Sequence, residues 1–116
     1  MNQYVLMLHE NPAQYADVSP AEMQQIVARY GAWAAEMGEK GHYVRGDKLV
    51  DDGGRHLRLQ AGGVVVSDGA YAEVKDVIGG YFVLQARDRA EAEALASSCP
   101  HLHGSNWIEL RQIEAN

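Results

Sequence analysis

The amino-acid sequence predicts a small α+β domain. The chain has 116 residues, which is enough for one domain with one modest hydrophobic core. Two segments carry paired helix-capping signals, and most of the remaining apolar runs are short and bounded by turn residues, as strands are. The hydrophobic and charged fractions, 47% and 22%, are ordinary for a globular protein. We therefore expect residues 1–116 to form a single domain.

The first two predicted elements are a strand and a long helix. Residues 4–8 form a short apolar run that is closed by a turn signal, which favours a strand. Ser19 has the character of an N-cap, Pro20 stands at the first helical position, and Glu22 completes a capping box. Apolar residues then recur every three or four positions as far as Met37. This spacing predicts a helix that buries one face and ends at the glycines that follow.

The middle of the chain predicts a strand and a hairpin. Residues 42–50 favour a strand in which Gly46 marks a bulge or a close approach of two backbones. Residues 55–67 combine alternating apolar positions, a Gly-Gly turn and a run of valines, which indicates a β-hairpin. Residues 67–79 show no clear periodicity, and we expect a loop with a turn of helix.

The last third of the chain predicts a strand, a helix and a strand. Residues 80–86 are an apolar run, and Asp88 followed by Glu91 marks a helix start. Pro100 is expected to stop this helix, and residues 106–113 contain the alternation of a strand. The full order is a ferredoxin-like βαββαβ pattern with an inserted β-hairpin.

Several predicted strands are apolar at consecutive positions, so both faces of the sheet should be apolar. Residues 4–8, 64–66 and 81–84 show this pattern. Two helices can cover only one face of such a sheet, and a large bare apolar face is unusual on a monomer. We therefore expect a homodimer in which a second copy covers the bare face.

Composition and motifs argue against several classes of protein. The formal net charge of -6 has the wrong sign for holding a polyanion, so no nucleic-acid partner is predicted. No apolar run approaches the roughly 20 residues that cross a bilayer, and the start lacks a basic segment, so we expect a cytoplasmic protein without a membrane partner. Dinucleotide-binding, P-loop and hydrolase motifs are absent from the sequence, and no cofactor is predicted. The one cysteine, Cys99, follows apolar residues at helical spacing and is expected in the core.

The segment after the hairpin carries a family likeness. Residues 67–75 have the sequence Ser-Asp-Gly-Ala-Tyr-Ala-Glu-Val-Lys, and residues 78–82 have Ile-Gly-Gly-Tyr-Phe. Together they resemble the YCII-related (DGPF) signature, Asp-Gly-Pro-Phe-Ala-Glu-Thr-Lys followed by Leu-Gly-Gly-Phe. Ala70 and Tyr71 stand at the Pro and Phe positions. The likeness extends over almost the whole chain and implies a dimeric α+β barrel, in which two ferredoxin-like sheets pack against each other.

The resemblance also implies candidate activities. Broader members of the superfamily carry a His on the first helix and an Asp further along as a proposed acid/base pair. Some are similar to muconolactone isomerases or act on small chlorinated ring compounds. In this sequence Arg29 and Tyr30 lie near the position of that His, and Cys99 precedes Pro100 where relatives often have the Asp. A transferred acid/base pair is therefore not visible.

Three residues are candidate catalytic groups. Asp68 lies between two apolar runs, where it either closes a turn or contributes to a site together with Gly69. Glu73 is either a solvated loop acid or faces the same cavity as Asp68, in which case burial and repulsion could raise one pKa and pair a proton donor with a base. Histidine is the usual group for proton transfer near neutral pH, so His9 is a general acid/base candidate, unless neighbouring backbone satisfies it.

The candidate substrate-binding residues are Tyr71, Tyr30 and Gly69. Tyrosine hydroxyls in a cleft can hold a polar ring substituent, although Tyr30 also falls on the buried stripe of the first helix and could be core. His101 and His103 have a spacing that suggests metal binding, but a site needs a third ligand that the sequence does not indicate. No metal is predicted, and a loop is expected there.

Two functions stay open at this point. The first is a small-molecule isomerase or lyase, with a cleft in each protomer where acid/base residues transfer a proton. The second is a non-catalytic dimeric module that binds a ligand or a protein partner. A regulatory role of this kind is implied by the association of the resembled family with extracytoplasmic-function sigma factors.

Overall fold

The computed structural model describes residues 1–69 and 76–115. Over these residues it shows an α+β fold with two α-helices, a four-stranded sheet and a two-stranded hairpin. In chain order the elements are β1 (Asn2–Glu10), a short 3-10 helix (Pro12–Tyr15), α1 (Pro20–Glu39), β2 (Tyr43–Lys48), β3 (Arg55–Gln60), β4 (Gly63–Asp68), β5 (Val77–Ala86), α2 (Arg89–Ala96) and β6 (Trp107–Ile113).

The sheet has the strand order β2-β5-β1-β6, and each neighbouring pair is antiparallel. The two central strands are β5 and β1, and the two edge strands are β2 and β6. Without the hairpin, this is the strand arrangement of ferredoxin-like folds. The predicted fold class is therefore confirmed, including the hairpin inserted between β2 and β5. The predicted assembly into a dimeric α+β barrel stays a prediction.

Both helices begin at the capping residues that the sequence indicated. The Ser19 hydroxyl accepts a hydrogen bond from the Glu22 amide at 3.1 Å, and the Asp88 carboxylate accepts one from the Glu91 amide at 2.9 Å. The prediction for the end of α2 was wrong, because the helix stops at Ala96 rather than at Pro100. The hydroxyls of Ser97 and Ser98 each donate at 2.7 Å to a backbone carbonyl of the last turn. These hydrogen bonds compete with those that would continue the helix.

The hydrophobic core lies between the helices and one face of the sheet. Trp33 and Met37 of α1 are buried against the central strands, as the apolar stripe predicted. The Trp33 indole donates to the Ser98 hydroxyl at 2.8 Å, so its polar edge is satisfied. Cys99 is buried in the same cluster, as expected. The core includes Leu6, Leu8, Phe82, Leu84 and Ala96.

The opposite face of the sheet is apolar at its centre. Val5 and Val83 are register partners on the two central strands, and Met7 follows on the same face because side chains alternate along a strand. The prediction that a second copy covers this face stays a prediction. Residues 64–66 were expected in the same sheet, but they belong to β4 of the separate hairpin. Within the described residues, neither helix has the length and hydropathy to cross a membrane.

Two further expectations concern the connecting segments. Gly46 does mark a close approach, because a Cβ there would lie 2.5 Å from Cδ1 of Phe82. The expected loop over residues 67–79 is shorter than predicted, since β4 continues to Asp68 and β5 already begins at Val77. Pairing to a neighbouring strand extends both ends, which periodicity alone does not reveal. Residues 70–75 lie outside the described part of the chain.

Candidate functional site

A cavity of about 310 Å³ opens between α1 and the β2–β5 edge of the sheet. Its volume is at the lower end of the range for pockets that hold small molecules. Most of its wall is apolar, and the contributing side chains come from α1 and the facing strands. The apolar lining includes Leu8, Met23, Ile26, Val27, Ala34 and Phe82.

Glycines form part of the cavity lining on the strand side. A Cβ on Gly80 would lie 2.8 Å from the carbonyl oxygen of Asp47, and a Cβ on Gly79 would collide with the carboxylate of Glu10. Both glycines, together with Gly46, line the cavity. Because these positions have no side chain, the strands approach closely and the Glu10 carboxylate has room to lie over β5.

Glu10 is the half-buried carboxyl of this cavity. It is the last residue of β1, and desolvation by burial raises its pKa above the ordinary value of 4.5. The Lys48 ammonium acts in the opposite direction, while the Asp51 carboxylate adds to the rise. The Lys48 Nζ also lies 3.1 Å from Asp51 Oδ1, so the two form an ion pair at the rim. A carboxyl with a raised pKa can both accept and release a proton closer to neutral pH.

A buried histidine holds the hydroxyl of Tyr30 at the cavity. His101 is fully buried, and its Nε2 lies 2.8 Å from the carbonyl oxygen of His9. Since a carbonyl can only accept, Nε2 carries the proton and Nδ1 accepts from the Tyr30 hydroxyl at 2.8 Å. Burial lowers the pKa of His101 and raises that of Tyr30, so a neutral imidazole faces a protonated phenol.

A second tyrosine hydroxyl reaches the cavity from the 3-10 helix. Asn106 is buried and donates from Nδ2 to the Tyr15 hydroxyl at 3.2 Å. The Gln14 side-chain amide donates to Oδ1 of the same Asn106. Burial raises the pKa of Tyr15, which therefore stays protonated. This network fixes the 3-10 helix to the loop before β6 and places Tyr15 in the cavity wall.

The cavity thus combines an apolar wall with a small set of polar groups. Glu10 can transfer a proton, and the hydroxyls of Tyr15 and Tyr30 can bind a polar substituent of a ligand. Lys48 is the one cation among the described lining residues, and it is already paired with Asp51. An anionic ligand would find little electrostatic attraction there.

The structure places His9 outside this cavity. Its side chain stacks on its register partner Trp107, with ring centroids 3.8 Å apart, on the face of the sheet away from the helices. The ring lies between two carboxylates, with Nε2 3.1 Å from Glu109 and Nδ1 3.2 Å from Asp76. The second contact is close enough for an ion pair but lacks hydrogen-bond direction, so Nδ1 has no hydrogen-bond partner among the described residues. Only the backbone carbonyl of His9 contributes to the cavity, through His101.

The structure does not bring Asp68 into the cavity either. Asp68 ends β4, its side chain is 88% exposed, and its carboxylate lies 3.4 Å from the Arg55 guanidinium. The Gly69 amide donates to the carbonyl of Gly54 at 3.0 Å, and a Cβ on Gly69 would collide with the backbone at the base of the hairpin. This is turn geometry, and the predicted site roles of Asp68 and Gly69 stay predictions. The candidates Tyr71 and Glu73 lie outside the described residues.

Tyr30 is the predicted binding residue that does line the cavity. Sequence reasoning missed Glu10 and Tyr15, and it considered His101 only as a possible metal ligand together with His103. One usable signal was present, since a tyrosine on a buried helical stripe needs a partner for its hydroxyl, and a histidine is a good one. His101 has both ring nitrogens engaged within the chain. Over residues 1–69 and 76–115, no three or more His, Cys, Asp or Glu side chains converge as metal ligands would.

Comparison with known proteins supports one assignment. No curated protein matches the chain. The sequence model of the YCII-related domain matches residues 2–115, which is almost the full length of the chain. This match agrees with the Gly-Gly pair in the cavity lining and with the α+β fold. The chain belongs to the YCII-related domain family.

Proposed function

We propose that this protein is a small-molecule isomerase or lyase that moves a proton within an uncharged, largely apolar substrate. Glu10 is the acid/base group, and the hydroxyls of Tyr15 and Tyr30 orient the substrate through a polar substituent. The observation that carries the proposal is the half-buried Glu10 carboxyl, whose pKa is raised by burial beside an apolar cavity of about 310 Å³.

The position of Glu10 suits proton transfer to carbon. A carboxylate that is partly desolvated is a stronger base than one in water, and its conjugate acid can return the proton at another atom of the same substrate. The Tyr30 hydroxyl keeps its proton and donates it to Nδ1 of His101, so toward a ligand its oxygen acts as a hydrogen-bond acceptor. The apolar wall then excludes water from the ring or chain of the substrate.

The charges in the lining favour an uncharged substrate. Glu10, Asp47 and Asp51 face the cavity together with Lys48, so the lining is acidic overall. A substrate carboxylate would be repelled by these acids, and the described lining offers it no unpaired cation. A neutral ring matches the apolar wall. A carbonyl substituent can accept from the Tyr15 hydroxyl, whereas a hydroxyl substituent can donate to the oxygen of Tyr30, whose own proton points to His101.

A hydrogen–deuterium exchange assay tests the proposed chemistry without knowledge of the natural substrate. A small cyclic ketone such as 2-indanone is incubated with the full chain in D₂O, and NMR follows deuterium entering beside the carbonyl. We expect saturable exchange above the buffer rate. Glu10→Gln should reduce it at least 100-fold, since removing a general base typically costs about 10² to 10⁴ in rate.

The matched control is Glu36→Gln, which makes the same change at an exposed carboxylate of α1 that pairs with Lys40 and does not line the cavity. It should retain exchange within a fewfold of the parent chain. Exchange that persists in Glu10→Gln would contradict the role of Glu10. Binding of the ketone without exchange would instead support the second function, a non-catalytic ligand-binding module.

A further inference from the structure

The two tyrosine hydroxyls of the cavity are held by buried partners of opposite character. The Tyr30 hydroxyl gives its hydrogen bond to Nδ1 of His101, a fully buried ring whose tautomer is set by the carbonyl of His9. The Tyr15 hydroxyl instead accepts from Nδ2 of Asn106, which is 7% exposed. Each buried partner therefore decides which part of its tyrosine hydroxyl is left for a ligand.

The cavity wall presents one acceptor and one donor as a result. A phenolic hydroxyl has one proton to donate and lone pairs that accept. The proton of Tyr30 is engaged by His101, so the oxygen of Tyr30 offers a lone pair to the cavity. A lone pair of Tyr15 is engaged by Asn106, so the proton of Tyr15 is left to donate.

The orientation of Asn106 is set by contacts on both of its side-chain atoms. The side-chain amide of Gln14 donates to Oδ1 of Asn106. On the other side, Nδ2 of Asn106 faces Nε2 of His103 at 3.4 Å in addition to the Tyr15 hydroxyl. Since Oδ1 already meets a donor, Nδ2 is the atom that reaches Tyr15, and the direction of that hydrogen bond follows.

The two hydroxyls lie close together in the cavity wall. Burial raises the pKa of both tyrosines, and each hydroxyl is near enough to act on the pKa of the other as a smaller cause. One oxygen atom of a ligand is therefore able to contact both. A hydroxyl group fits this pair, because it donates to Tyr30 and accepts from Tyr15 at the same time. A carbonyl or an ether accepts from Tyr15 and leaves the oxygen of Tyr30 without a donor.

We propose that the cavity takes a small neutral ring compound that carries a hydroxyl group, and that His101 and Asn106 are the positioning residues that select it. A site that pairs a ligand hydroxyl discriminates against analogues without one, because its own polar groups are then left unpaired. The apolar wall holds the ring, and the paired hydroxyl orients the ring relative to Glu10. This selection rests on the proposed function, which places the substrate in the cavity, and it adds the group that the substrate must carry.

NMR titrations of the full chain with three ligands of the same ring system test the selection. The ligands are 2-indanol, 2-indanone and indane. We expect 2-indanol to bind about three- to tenfold more tightly than 2-indanone, which is the net effect of one hydrogen bond, and indane to bind more weakly than either. If 2-indanone binds the parent chain as tightly as 2-indanol, the proposal is wrong.

The substitution Asn106→Asp reverses one of the two polarities without removing a hydroxyl. A carboxylate accepts but does not donate, so the proton of Tyr15 turns to it and both tyrosines offer only acceptors to a ligand. The affinity for 2-indanone should then fall to that for indane, whereas 2-indanol still donates and should lose no more than about threefold. A merely structural role of Asn106 would weaken all three ligands alike. An unchanged ratio of the 2-indanol and 2-indanone affinities would overturn the role of Asn106.

The matched control is Asn2→Asp, which makes the same change at an exposed residue at the start of β1. It should leave all three dissociation constants within a fewfold of the parent values. Binding is measured separately from catalysis, so the two proposals fail separately. A chain that prefers 2-indanol but exchanges no deuterium supports the selection and refutes the isomerase or lyase, and exchange without the preference does the reverse.

Discussion

The hydrogen bond between Tyr30 and His101 can be tested by a single-atom change. Tyr30→Phe removes the hydroxyl that donates to Nδ1 of His101 at 2.8 Å and leaves the rest of the ring in place. His101 is fully buried, and its Nε2 is held by the carbonyl of His9. The substitution therefore leaves a buried acceptor without its partner, which costs more than the loss of an exposed hydrogen bond.

The expected magnitude follows from the burial of the acceptor. An unsatisfied buried acceptor costs about 1–3 kcal/mol, and the cavity beside Tyr30 can admit water that restores part of the bond. We therefore expect the free energy of unfolding to fall by about 1–2 kcal/mol, which for a domain of this size lowers Tm by roughly 4–10 °C. Tyr15→Phe is the matched control. Its hydroxyl accepts from Nδ2 of Asn106 at 3.2 Å, and Nδ2 keeps a second partner in His103 Nε2 at 3.4 Å, so the loss should stay below about 1 kcal/mol.

Urea denaturation of the three chains measures these differences, and nitrogen-15 NMR of the imidazole groups reports the tautomer of His101. The parent chain should show a neutral His101 with its proton on Nε2, because the His9 carbonyl accepts from that atom. If Tyr30→Phe is as stable as the parent chain, or if the proton is found on Nδ1, the proposed hydrogen-bond geometry is wrong.

Three further predictions concern other residues. Gly46→Ala should destabilise the chain by about 1–3 kcal/mol, because the new Cβ meets the packed ring of Phe82. Gly31→Ala, at an open position within α1, should instead stabilise the chain by about 0.5–1 kcal/mol. Urea denaturation measures both changes in the free energy of unfolding. The Cys99 thiol, whose pKa burial raises to about 11, should react with a disulfide reagent at pH 8 at least about 100-fold more slowly in the native chain than in urea. Folding raises the pKa of Glu10 above 4.5. The contribution of this group to stability is therefore greatest below that pH and is lost as pH rises through the raised pKa. Glu10→Gln should remove this part of the pH dependence of the free energy of unfolding.

Most of the fold was predictable because its signals are local. The capping pairs at Ser19 and Asp88 each satisfy amides within one turn, so they define the helix starts without knowledge of the rest of the chain. The glycine turn at residues 62–63 likewise defines the hairpin. The end of α2 was harder to predict, because serine hydroxyls compete with the helix at a point where the sequence offers Pro100 as a more obvious stop.

The candidate site was less predictable because its contacts join distant parts of the chain. Tyr30 and His101 are 71 positions apart, and the contact between His101 and the carbonyl of His9 spans 92 positions. Neither contact has a sequence spacing that could indicate it. His9 was expected to use its side chain, yet strand alternation turns that side chain to the outer face and leaves its carbonyl for His101. Glu10 carried no sequence signal of a site, since its burial depends on α1 and on the glycines of β5.

The same glycines connect the fold to the proposed chemistry. A strand pair at the edge of a sheet normally presents side chains to the helix above it, and those side chains would fill the space under α1. Gly46, Gly79 and Gly80 leave that space open, and Gly79 in particular leaves room for the carboxylate of Glu10. The cavity and the partial burial of its acid therefore have one cause. A Gly79→Ala chain should fold with the Glu10 carboxylate displaced, and the deuterium exchange proposed for the cavity should fall even though every polar group is still present.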